Sequence, residues 1–459
     1  MTTPTRDIDE TSPRIAGKAE LVRWFEAGST PKSEWRVGTE HEKFGFLLEG
    51  LRPLPYDGPA SVRVMLEGLR DQFGWSPIEE GGHLIGLKKA GASVSLEPGG
   101  QFELSGAPLE HIHQTCNEVG AHLAEVRSIA EPLGIRFLGL GASPLWSMDE
   151  TPIMPKGRYQ IMRAYMDRVG RLGRQMMFRT CTVQANLDYA DEADMVKKFR
   201  VSLALQPLGT ALFANSPFME GRPNGFLSYR SHVWTDTDPD RTGMLPFVFE
   251  DGFGFEQYVD YALDVPMYFV RRGGQYLDAS GLSFRDFMAG ELPILPGERP
   301  AMDDFEDHLS TIFPEVRLKR FLEMRGSDSG PWDSICAFSA FWTGLLYDEV
   351  ALDAAWELVR GWSEESRESI RQAVRTLGLR TPLPDGRVMK DLALDVLDIS
   401  RGGLSRRGRL SSSGDDETGF LARLDEIARS GRTPAEDLLM RYHGPWGRDV
   451  RPIFEEEAY

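Results

Sequence analysis

Polar and apolar side chains alternate in several segments of the chain, and this alternation predicts β-strands with two different faces. In residues 37–46, Glu40 and Glu42 fall on one face, and Phe44 and Phe46 continue it. Acidic side chains are almost never buried without a partner. The pair therefore predicts either basic neighbours or a hard metal ion such as Mg²⁺.

The same alternation predicts two more strands that carry acids. Residues 95–105 are expected to form one strand, with Glu103 on its polar face. Residues 318–325 are expected to form another, with Glu323 and Arg325 on the same face. Because acid and base lie side by side in this third strand, the polar face of the sheet is predicted to carry both kinds of charge.

A fourth segment, residues 178–188, alternates almost completely and places Thr182 and Gln184 on a polar face. Period-two alternation is usual in half-exposed antiparallel strands, so each segment taken alone is explained equally well by a solvated face. The four segments together favour a polar binding face, because they carry short amides, hydroxyls and isolated acids beside glycines that let a ligand approach the backbone.

Helical periodicity and capping signals predict helices between and after these strands. A capping box at residues 433–436 marks the start of the last helix. From about residue 332 the chain is predicted to be mostly helical. The predicted helices are residues 18–27, 108–131, 191–205, 335–346, 351–362, 364–377 and 434–441.

The domain organisation is expected to be simple. Residues 1–16 are predicted to form a flexible leader, and residues 17–459 a single catalytic domain. Within that domain, residues 215–254 lack a long apolar period, and loops of this length are usually functional. Residues 401–414 are basic and glycine-rich; we expect a mobile solvated loop there, with contact to nucleotide phosphates as the alternative.

The composition excludes several classes of protein. With 459 residues, of which 41% are hydrophobic and 27% charged, the chain is expected to be an ordinary soluble globular protein. A net charge of −18 argues against nucleic acid as a partner. No apolar run approaches the roughly 20 residues that span a bilayer, and no signal peptide is recognisable. We therefore expect a cytoplasmic protein without membrane or nucleic-acid partners, acting as a monomer or weak homodimer.

The cysteines and histidines carry little signal of their own. Cys116, Cys181 and Cys336 are too few and too widely spaced for a zinc site or a disulfide framework. From the residues alone, each is expected to be a small buried hydrophobic side chain. His41 falls on the strand face opposite the two glutamates, where packing or hydrogen bonding is its expected role.

The acids and arginines together suit metal-dependent phosphoryl transfer. Mg²⁺ is held by a few carboxylates and keeps waters and phosphate oxygens as its other ligands. Arg325 would stabilise charge on the transferring group, whereas Arg230 and Arg158 would hold a substrate carboxylate. The absence of a Walker A sequence, a dinucleotide fingerprint and a kinase motif set argues against a P-loop or Rossmann enzyme. The candidate metal ligands are Glu40, Glu42, Glu103 and Glu323.

Five segments carry a resemblance to a known family. They are residues 38–42, 95–106, 179–184, 234–246 and 313–326. In this order they resemble glutamate–cysteine ligases of the plant and proteobacterial type, from about residue 30 to the C-terminus. The resemblance implies an α+β fold of the glutamine synthetase and guanido kinase kind, an antiparallel sheet curved into a funnel with helices packed outside. It also implies a reaction that uses ATP as co-substrate and Mg²⁺ as cofactor. This reaction joins the γ-carboxylate of glutamate to the amino group of cysteine through γ-glutamyl phosphate, as the first step of glutathione synthesis.

The resemblance further implies a role for each candidate residue. Arg325 corresponds to the group at the transferring phosphate, and Arg230 to the arginine that holds substrate glutamate. Arg158 is a weaker candidate for the same region. For Glu97, two roles stay open, one at the metal site and one as a brace of the following turn. The implied Mg²⁺ ligands are Glu40, Glu42, Glu103 and Glu323, of which Glu103 and Glu323 are also catalytic, and the residues lining the glutamate pocket are Thr182 and Gln184.

The resemblance also bears on the cysteines and leaves alternatives for the activity. Cys116 and Cys336 fall where the plant members have a redox-regulated pair, which implies a reversible disulfide. Ala279 and Ile294 occupy the segments of the second plant pair, so that pair is absent. Two other activities stay open: a ligase that joins glutamate to another amine, and a non-catalytic sensor of a nucleotide or an amino acid.

Overall fold

The computed structural model describes residues 12–459, and within them a nine-stranded antiparallel sheet forms the centre of the molecule. The strands are β1 (Val37–Leu47), β2 (Ser76–Glu80), β3 (His83–Lys89), β4 (Ala92–Leu96), β5 (Phe102–Ser105), β6 (Ile135–Leu138), β7 (Thr182–Leu187), β8 (Phe218–Met219), β9 (Arg222–Pro223), β10 (Thr242–Gly243), β11 (Phe269–Arg272), β12 (Gln275–Asp278), β13 (Phe313–Pro314), β14 (Val316–Leu318) and β15 (Leu322–Asp328).

Helices surround this sheet, which confirms the α+β class. They are α1 (Lys18–Glu26), α2 (Val62–Phe73), α3 (Ile112–Ala130), α4 (Gly157–Val169), α5 (Gly173–Arg179), α6 (Glu192–Leu212), α7 (Tyr229–Val233), α8 (Phe255–Asp264), α9 (Phe284–Ala289), α10 (Met302–Leu309), α11 (Trp332–Leu346), α12 (Glu349–Val359), α13 (Glu364–Leu377), α14 (Met389–Arg407), α15 (Ala422–Ser430), α16 (Pro434–His443) and α17 (Ile453–Glu456).

The order of the sheet brings the acidic segments together. Its strands run β14-β15-β7-β1-β5-β4-β3-β2, and β6 pairs with the second half of β1. In this register Glu42 lies directly opposite Glu103, and Glu40 opposite Gln184. On the next strand, Glu323 lies opposite Asn186 of β7. Residues that are far apart in the chain therefore meet on neighbouring strands.

The apolar face of the sheet is covered by helices. Val183, Ala185 and Leu187 of β7 belong to one large apolar core, which also contains the buried faces of α6, α11 and α14. A second core packs β3, β4 and β5 against α2, α3 and α4. This helical layer fixes one side of each strand, so the polar side chains are confined to the other side.

Two of the predicted strands are hairpins. Residues 95–105 contain β4 and β5 joined by a turn, in which Gly100 adopts a positive φ of 84°. Residues 318–325 include the end of β14, a turn, and the start of β15, with the Lys319 N–H donating to the Phe321 carbonyl. Alternation continues through such short turns, so periodicity does not reveal where the chain reverses.

Two other predictions are corrected by the helices. The segment 178–188 begins in α5, and its strand starts only at Thr182. The helix predicted for 191–205 continues through Pro207 to Leu212. Every residue from Val201 to Leu212 is buried. The apolar packing of this buried C-terminal half of the helix compensates for the backbone hydrogen bond that proline removes.

The predicted basic loop at residues 401–414 is also wrong for its first half, which is the end of α14. Gly403 is required there by close helix packing, because a Cβ would lie 1.9 Å from the Gly344 carbonyl oxygen. The arginines are held by acids, for example Arg401 by Asp425 and Arg406 by Asp348. These contacts argue against a free phosphate-binding loop.

The helix predicted for 108–131 begins only at Ile112, whereas the C-terminal helices agree with the structure. The helices predicted after residue 332 are present as α11, α12 and α13, and Thr433 and Glu436 form the capping box of α16. Residues 1–11 of the predicted leader lie outside the described residues. Ile15, at the end of that segment, is buried, and its N–H donates to the Pro300 carbonyl at 2.8 Å.

Among residues 12–459, no single helix is long and apolar enough to cross a bilayer. Helices α11 and α12 are long and apolar enough to cross a bilayer only when they are counted together, and their axes meet at 91°.

Candidate active site

A cavity opens on the polar face of the sheet, between the central strands and the start of α4. One side of it carries four glutamates, which we call the acidic wall: Glu40, Glu42, Glu97 and Glu103. The cavity is lined further by Arg158, Tyr159, Met162, Gln184, Ser310, Thr311, Phe313, Arg317 and Arg325. Most of the residues predicted from the sequence therefore line one space.

Hydrogen bonds fix the carboxylates of the acidic wall. Glu42 accepts from the Thr182 N–H at 3.0 Å. Glu103 accepts from the hydroxyl groups of Ser95 at 2.6 Å and Ser105 at 3.1 Å. The Asn186 amide donates to Glu40 at 2.8 Å. These donors hold the acids in place, so their orientation does not depend on a bound ligand.

Burial and mutual repulsion perturb these acids. Burial, together with the charges of Glu40 and Glu97, raises the pKa of Glu103 to about 7. Burial and the charges of Glu97 and Glu103 raise the pKa of Glu42 well above its usual value. Carboxylates held together in this way release their protons readily only when a cation compensates them, so the acidic wall is a site for positive charge.

A group of basic side chains faces the acidic wall from β14 and β15. We call Arg317, Lys319 and Arg325 the basic cluster. All three contact the buried carboxylate of Glu323, with Arg317 Nε and Arg325 Nη1 each 2.7 Å from the same oxygen and Lys319 at 3.4 Å. Although burial favours a neutral carboxyl, these cations hold the pKa of Glu323 well below its usual value.

Glu323 thus occupies a different place from the other predicted metal ligands. Its carboxylate lies behind Arg317 and Arg325, whereas Glu40, Glu42 and Glu103 face the cavity. Arg325 also donates to the side-chain oxygen of Gln184 at 2.7 Å, which directs its guanidinium along the floor of the cavity.

A second, adjoining cavity contains two of the residues expected to hold glutamate, Arg230 and Thr182, whereas Gln184 lines only the first cavity. Arg230 lies on α7, is 3% exposed, and donates to the Arg325 carbonyl at 2.9 Å. Thr182 lines the same space, but its hydroxyl donates to the Ser327 carbonyl at 2.8 Å. The two cavities share Glu42, Glu97, Met162, Phe313 and Arg325. Arg158 lines only the first of them, at the start of α4.

Sequence reasoning missed Arg317 and Lys319 as site residues. Lys319 was assigned to a continuous strand at 318–325, and Arg317 was given no role. The reason is that the turn at 319–321 was not recognised. For Glu97 two roles were left open, at the metal site or as a brace of the following turn, and the structure places it in both cavities. His41 lies on the opposite face of β1, as expected, with its ring 5.8 Å from that of His122.

No complete metal cage is preformed in the described part of the chain. Among residues 12–459, no three acidic, histidine or cysteine side chains are close enough to hold an ion by themselves. Mg²⁺ does not require such a cage, since it is commonly bound by one or two carboxylates together with waters and substrate phosphates. The all-oxygen donors of the acidic wall fit this preference.

The cysteines divide as the resemblance implied. Cys116 of α3 and Cys336 of α11 form a disulfide, with their Cα atoms 5.6 Å apart. The indole N–H of Trp332 donates to the Cys116 carbonyl at 3.1 Å beside it. Cys181 is buried and free.

Comparison with known proteins places this geometry in context. The family model described as glutamate–cysteine ligase family 2 matches residues 36–456. The chloroplastic glutamate–cysteine ligase of Nicotiana tabacum is 58% identical over 442 residues, which cover 96% of this chain and 83% of that protein. The corresponding Medicago truncatula protein is 56% identical over 457 residues, covering 99% and 88% of the two chains.

A solved structure supports the fold. The glutamate–cysteine ligase of Francisella tularensis in complex with AMP superposes with a TM-score of 0.51 at 14% identity, covering 89% of this chain and 85% of that one. At this identity the likeness concerns the fold alone.

The comparisons also correct the predicted location. The predicted cytoplasmic location is wrong, because the relatives from Nicotiana tabacum, Arabidopsis thaliana and Medicago truncatula are named as chloroplastic proteins. The prediction rested on the lack of an apolar signal segment, and that feature does not distinguish one aqueous compartment from another.

Proposed function

This chain belongs to glutamate–cysteine ligase family 2, and from that premise we propose how its two cavities join glutamate to cysteine. The reaction is ATP-dependent: the γ-carboxylate of glutamate is phosphorylated, and the amino group of cysteine then displaces the phosphate. Its product, γ-glutamylcysteine, is the first intermediate of glutathione synthesis. The observation that carries the proposal is the acidic wall facing Arg325 across one cavity.

We propose that Glu40, Glu42 and Glu103 are the carboxylates that hold Mg²⁺, with Glu97 beside them. When bound there, Mg²⁺ would supply positive charge that neutralises the phosphates of ATP. The support is their common cavity and the raised pKa values of Glu42 and Glu103. Glu323 stays in the same proposal as a ligand, and its carboxylate contacts Arg317, Lys319 and Arg325 in this structure.

We further propose that Arg325 stabilises the transferring phosphoryl group. Its guanidinium is held by Glu323 and Gln184 and points into the cavity, so it needs no reorganisation when charge develops there. Arg230, in the adjoining cavity, is proposed to bind the α-carboxylate of glutamate, with Thr182 in the same cavity and Gln184 in the first cavity beside Arg325. Arg158 stands at the edge of this region as a weaker candidate.

An amine panel tests the choice of substrate. Purified protein is given ATP, Mg²⁺ and glutamate together with cysteine, 2-aminobutyrate or ammonia, and phosphate release is measured. We expect cysteine to give the fastest turnover. Equal rates with all three amines would instead favour a ligase of broader amine specificity, and an absence of turnover with every amine would favour a sensor.

A binding experiment tests the metal ligands independently of turnover. Mn²⁺ serves as a paramagnetic probe for the metal in the presence of a non-hydrolysable ATP analogue. We expect Glu42→Gln to weaken Mn²⁺ binding, and Glu417→Gln, a buried acid outside the cavity, to leave it unchanged. Equal Mn²⁺ affinity in the two variants would remove Glu42 from the site.

Three further proposals concern the whole chain. We propose that residues 17–459 act as one catalytic unit and that the protein works as a monomer or weak homodimer, which light scattering over a concentration series would test. We also propose that the Cys116–Cys336 disulfide is reversible and affects activity, as argued with its test in the Discussion.

A further inference from the structure

A buried carboxylate at the end of β15 contacts three groups from a different part of the chain. Asp328 is 1% exposed. One of its oxygens accepts from the Asn215 N–H at 2.8 Å and from the Ser216 hydroxyl at 2.6 Å, and the other accepts from the Ser228 hydroxyl at 2.7 Å. We call these four residues the Asp328 cluster.

The two serines of the cluster are bound in turn to the helix that carries Arg230. The Ser228 hydroxyl caps α7 by accepting from the Ser231 N–H at 3.1 Å. The Ser216 hydroxyl accepts from the backbone N–H of Arg230 at 3.3 Å. A helix of only five residues has too few internal hydrogen bonds to be stable alone, so these external contacts determine where α7 lies.

Arg230 and Asp328 also attract each other electrostatically. Burial lowers the pKa of Arg230, and Asp328 is the carboxylate that opposes this most strongly. The guanidinium itself donates to the Arg325 carbonyl at 2.9 Å, three residues before Asp328 on β15. The backbone of Arg230 is therefore held by the Asp328 cluster, and its guanidinium is held by the Arg325 carbonyl of β15. Together these contacts define one orientation for the guanidinium.

We propose that Asp328 is a positioning residue for substrate glutamate. Through Ser216 and Ser228 it fixes the backbone of Arg230 so that the guanidinium meets a carboxylate with two parallel hydrogen bonds. This geometry is demanding, and a small rotation of α7 would turn a paired contact into a single one. The inference rests on the proposed role of Arg230 in binding glutamate.

The charge-neutral variants Ser216→Ala and Ser228→Ala test positioning directly. Each is expected to raise the KM for glutamate about tenfold, the effect of losing one well-aligned hydrogen bond to a charged group. The kcat and the KM values for ATP and cysteine are expected to stay within about twofold. Calorimetric titration of the protein with glutamate should show the same loss of affinity. Ser61→Ala is the matched control, because Ser61 is also a buried helix cap, on α2 and outside both cavities.

Asp328→Asn separates positioning from charge. If Asp328 only compensated the charge of Arg230, its neutralisation would tighten glutamate binding, whereas a positioning role predicts weaker binding, as in the serine variants. Tighter or unchanged glutamate binding in Asp328→Asn and both serine variants would overturn the inference. If Asp328→Asn does not fold, the two serine variants decide the question alone.

Arg230→Lys distinguishes failure of the inference from failure of the proposed function. A higher KM for glutamate in Arg230→Lys, with no change in the Ser216→Ala and Ser228→Ala variants, would overturn the inference alone. An unchanged KM for glutamate in Arg230→Lys would overturn the assignment of Arg230 and the inference with it.

Discussion

Glu323 shows how one side chain organises a site at the scale of single residues. It is fully buried and contacts Arg317, Lys319 and Arg325. The two arginines contact the same carboxylate oxygen. Removing one partner of a buried ion pair is costly because the remaining charges lose their compensation. Glu323 therefore contributes both to stability and to the orientation of Arg325.

We expect Glu323→Gln to lower the free energy of unfolding by about 3 kcal/mol and to remove most of the ligase activity. The measurements are urea unfolding and phosphate release. The control is Glu417→Gln, because Glu417 is equally buried and pairs with Arg407 outside the cavities. It should lose similar stability and keep its activity. Full turnover in Glu323→Gln would contradict the role of Glu323 in the site.

A second residue, His308, links stability to pH. Burial lowers the pKa of His308 to about 4, and its Nε2 lies 2.8 Å from the Ala262 carbonyl. In the unfolded chain the ring titrates near 6.5. Above pH 6.5 the ring is neutral in both states, and its contribution to the free energy of unfolding is at its full value. As the pH falls below 6.5, the unfolded state takes up the proton first and is stabilised relative to the folded state. The contribution of the neutral ring is lost between pH 6.5 and about 4, by up to about 3 kcal/mol.

The test compares wild type with His308→Gln, which keeps a side-chain donor but does not titrate. We expect the free energy of unfolding of the variant to fall less steeply between pH 6.5 and 4. His41 and His122 have pKa values lowered in the same direction, so only the difference between the two proteins isolates His308. Parallel pH profiles would exclude His308 as a contributor.

Alternation along the sequence predicted which candidate residues of one strand share a face. It did not predict how residues of different strands are grouped. Alternation correctly placed Glu40 and Glu42 together, because it follows from the geometry of a single strand. The basic cluster depends on a reversal at residues 319–321, and the contact of Arg317 with Glu323 crosses that turn. A contact of this kind is set by tertiary structure, which periodicity along the chain does not describe.

At the scale of elements, strong local signals were reliable and weak ones were overruled by packing. The capping box at Thr433 predicted the start of α16 correctly, since it depends only on neighbouring residues. The helix predicted for residues 191–205 continues past Pro207, because every residue from Val201 to Leu212 is buried. The glycines at 402 and 403 suggested a loop, whereas close contact between α11 and α14 explains Gly403.

The cap of α16 can be tested separately. Thr433→Ala removes the acceptor for the Glu436 N–H, which lies 3.2 Å from the hydroxyl oxygen. We expect a loss of about 1 kcal/mol in the free energy of unfolding, with unchanged kinetics. Thr376→Ala, at an exposed position of α13, is the control and should change stability by less than about 0.5 kcal/mol. Equal effects of the two variants would contradict a specific capping role.

At the scale of the whole molecule, the disulfide joins α3 to α11 across 220 residues of sequence. Closing so long a loop restricts the unfolded chain, and bonds of this kind contribute roughly 2–5 kcal/mol. We expect a thiol reductant to lower the melting temperature of the wild type and to have no effect on a Cys116→Ser/Cys336→Ser double variant. Phosphate release measured in parallel tests regulation. Identical activity in both redox states would leave the bond a purely structural role.

The position of the basic cluster near residue 320 has a consequence for the newly made chain. The acidic strand β1 is complete at Leu47, but its basic neighbours on β14 and β15 are not available until Asp328 has been added. At about 5–20 residues per second, the ribosome takes roughly 15 to 60 seconds to cover that distance. During this interval Glu40 and Glu42 lack Arg325, whose charge acts on both of them in the folded protein. Because burying a carboxylate without its full set of positive neighbours is costly, we expect the centre of the sheet to stay hydrated until β15 has been made.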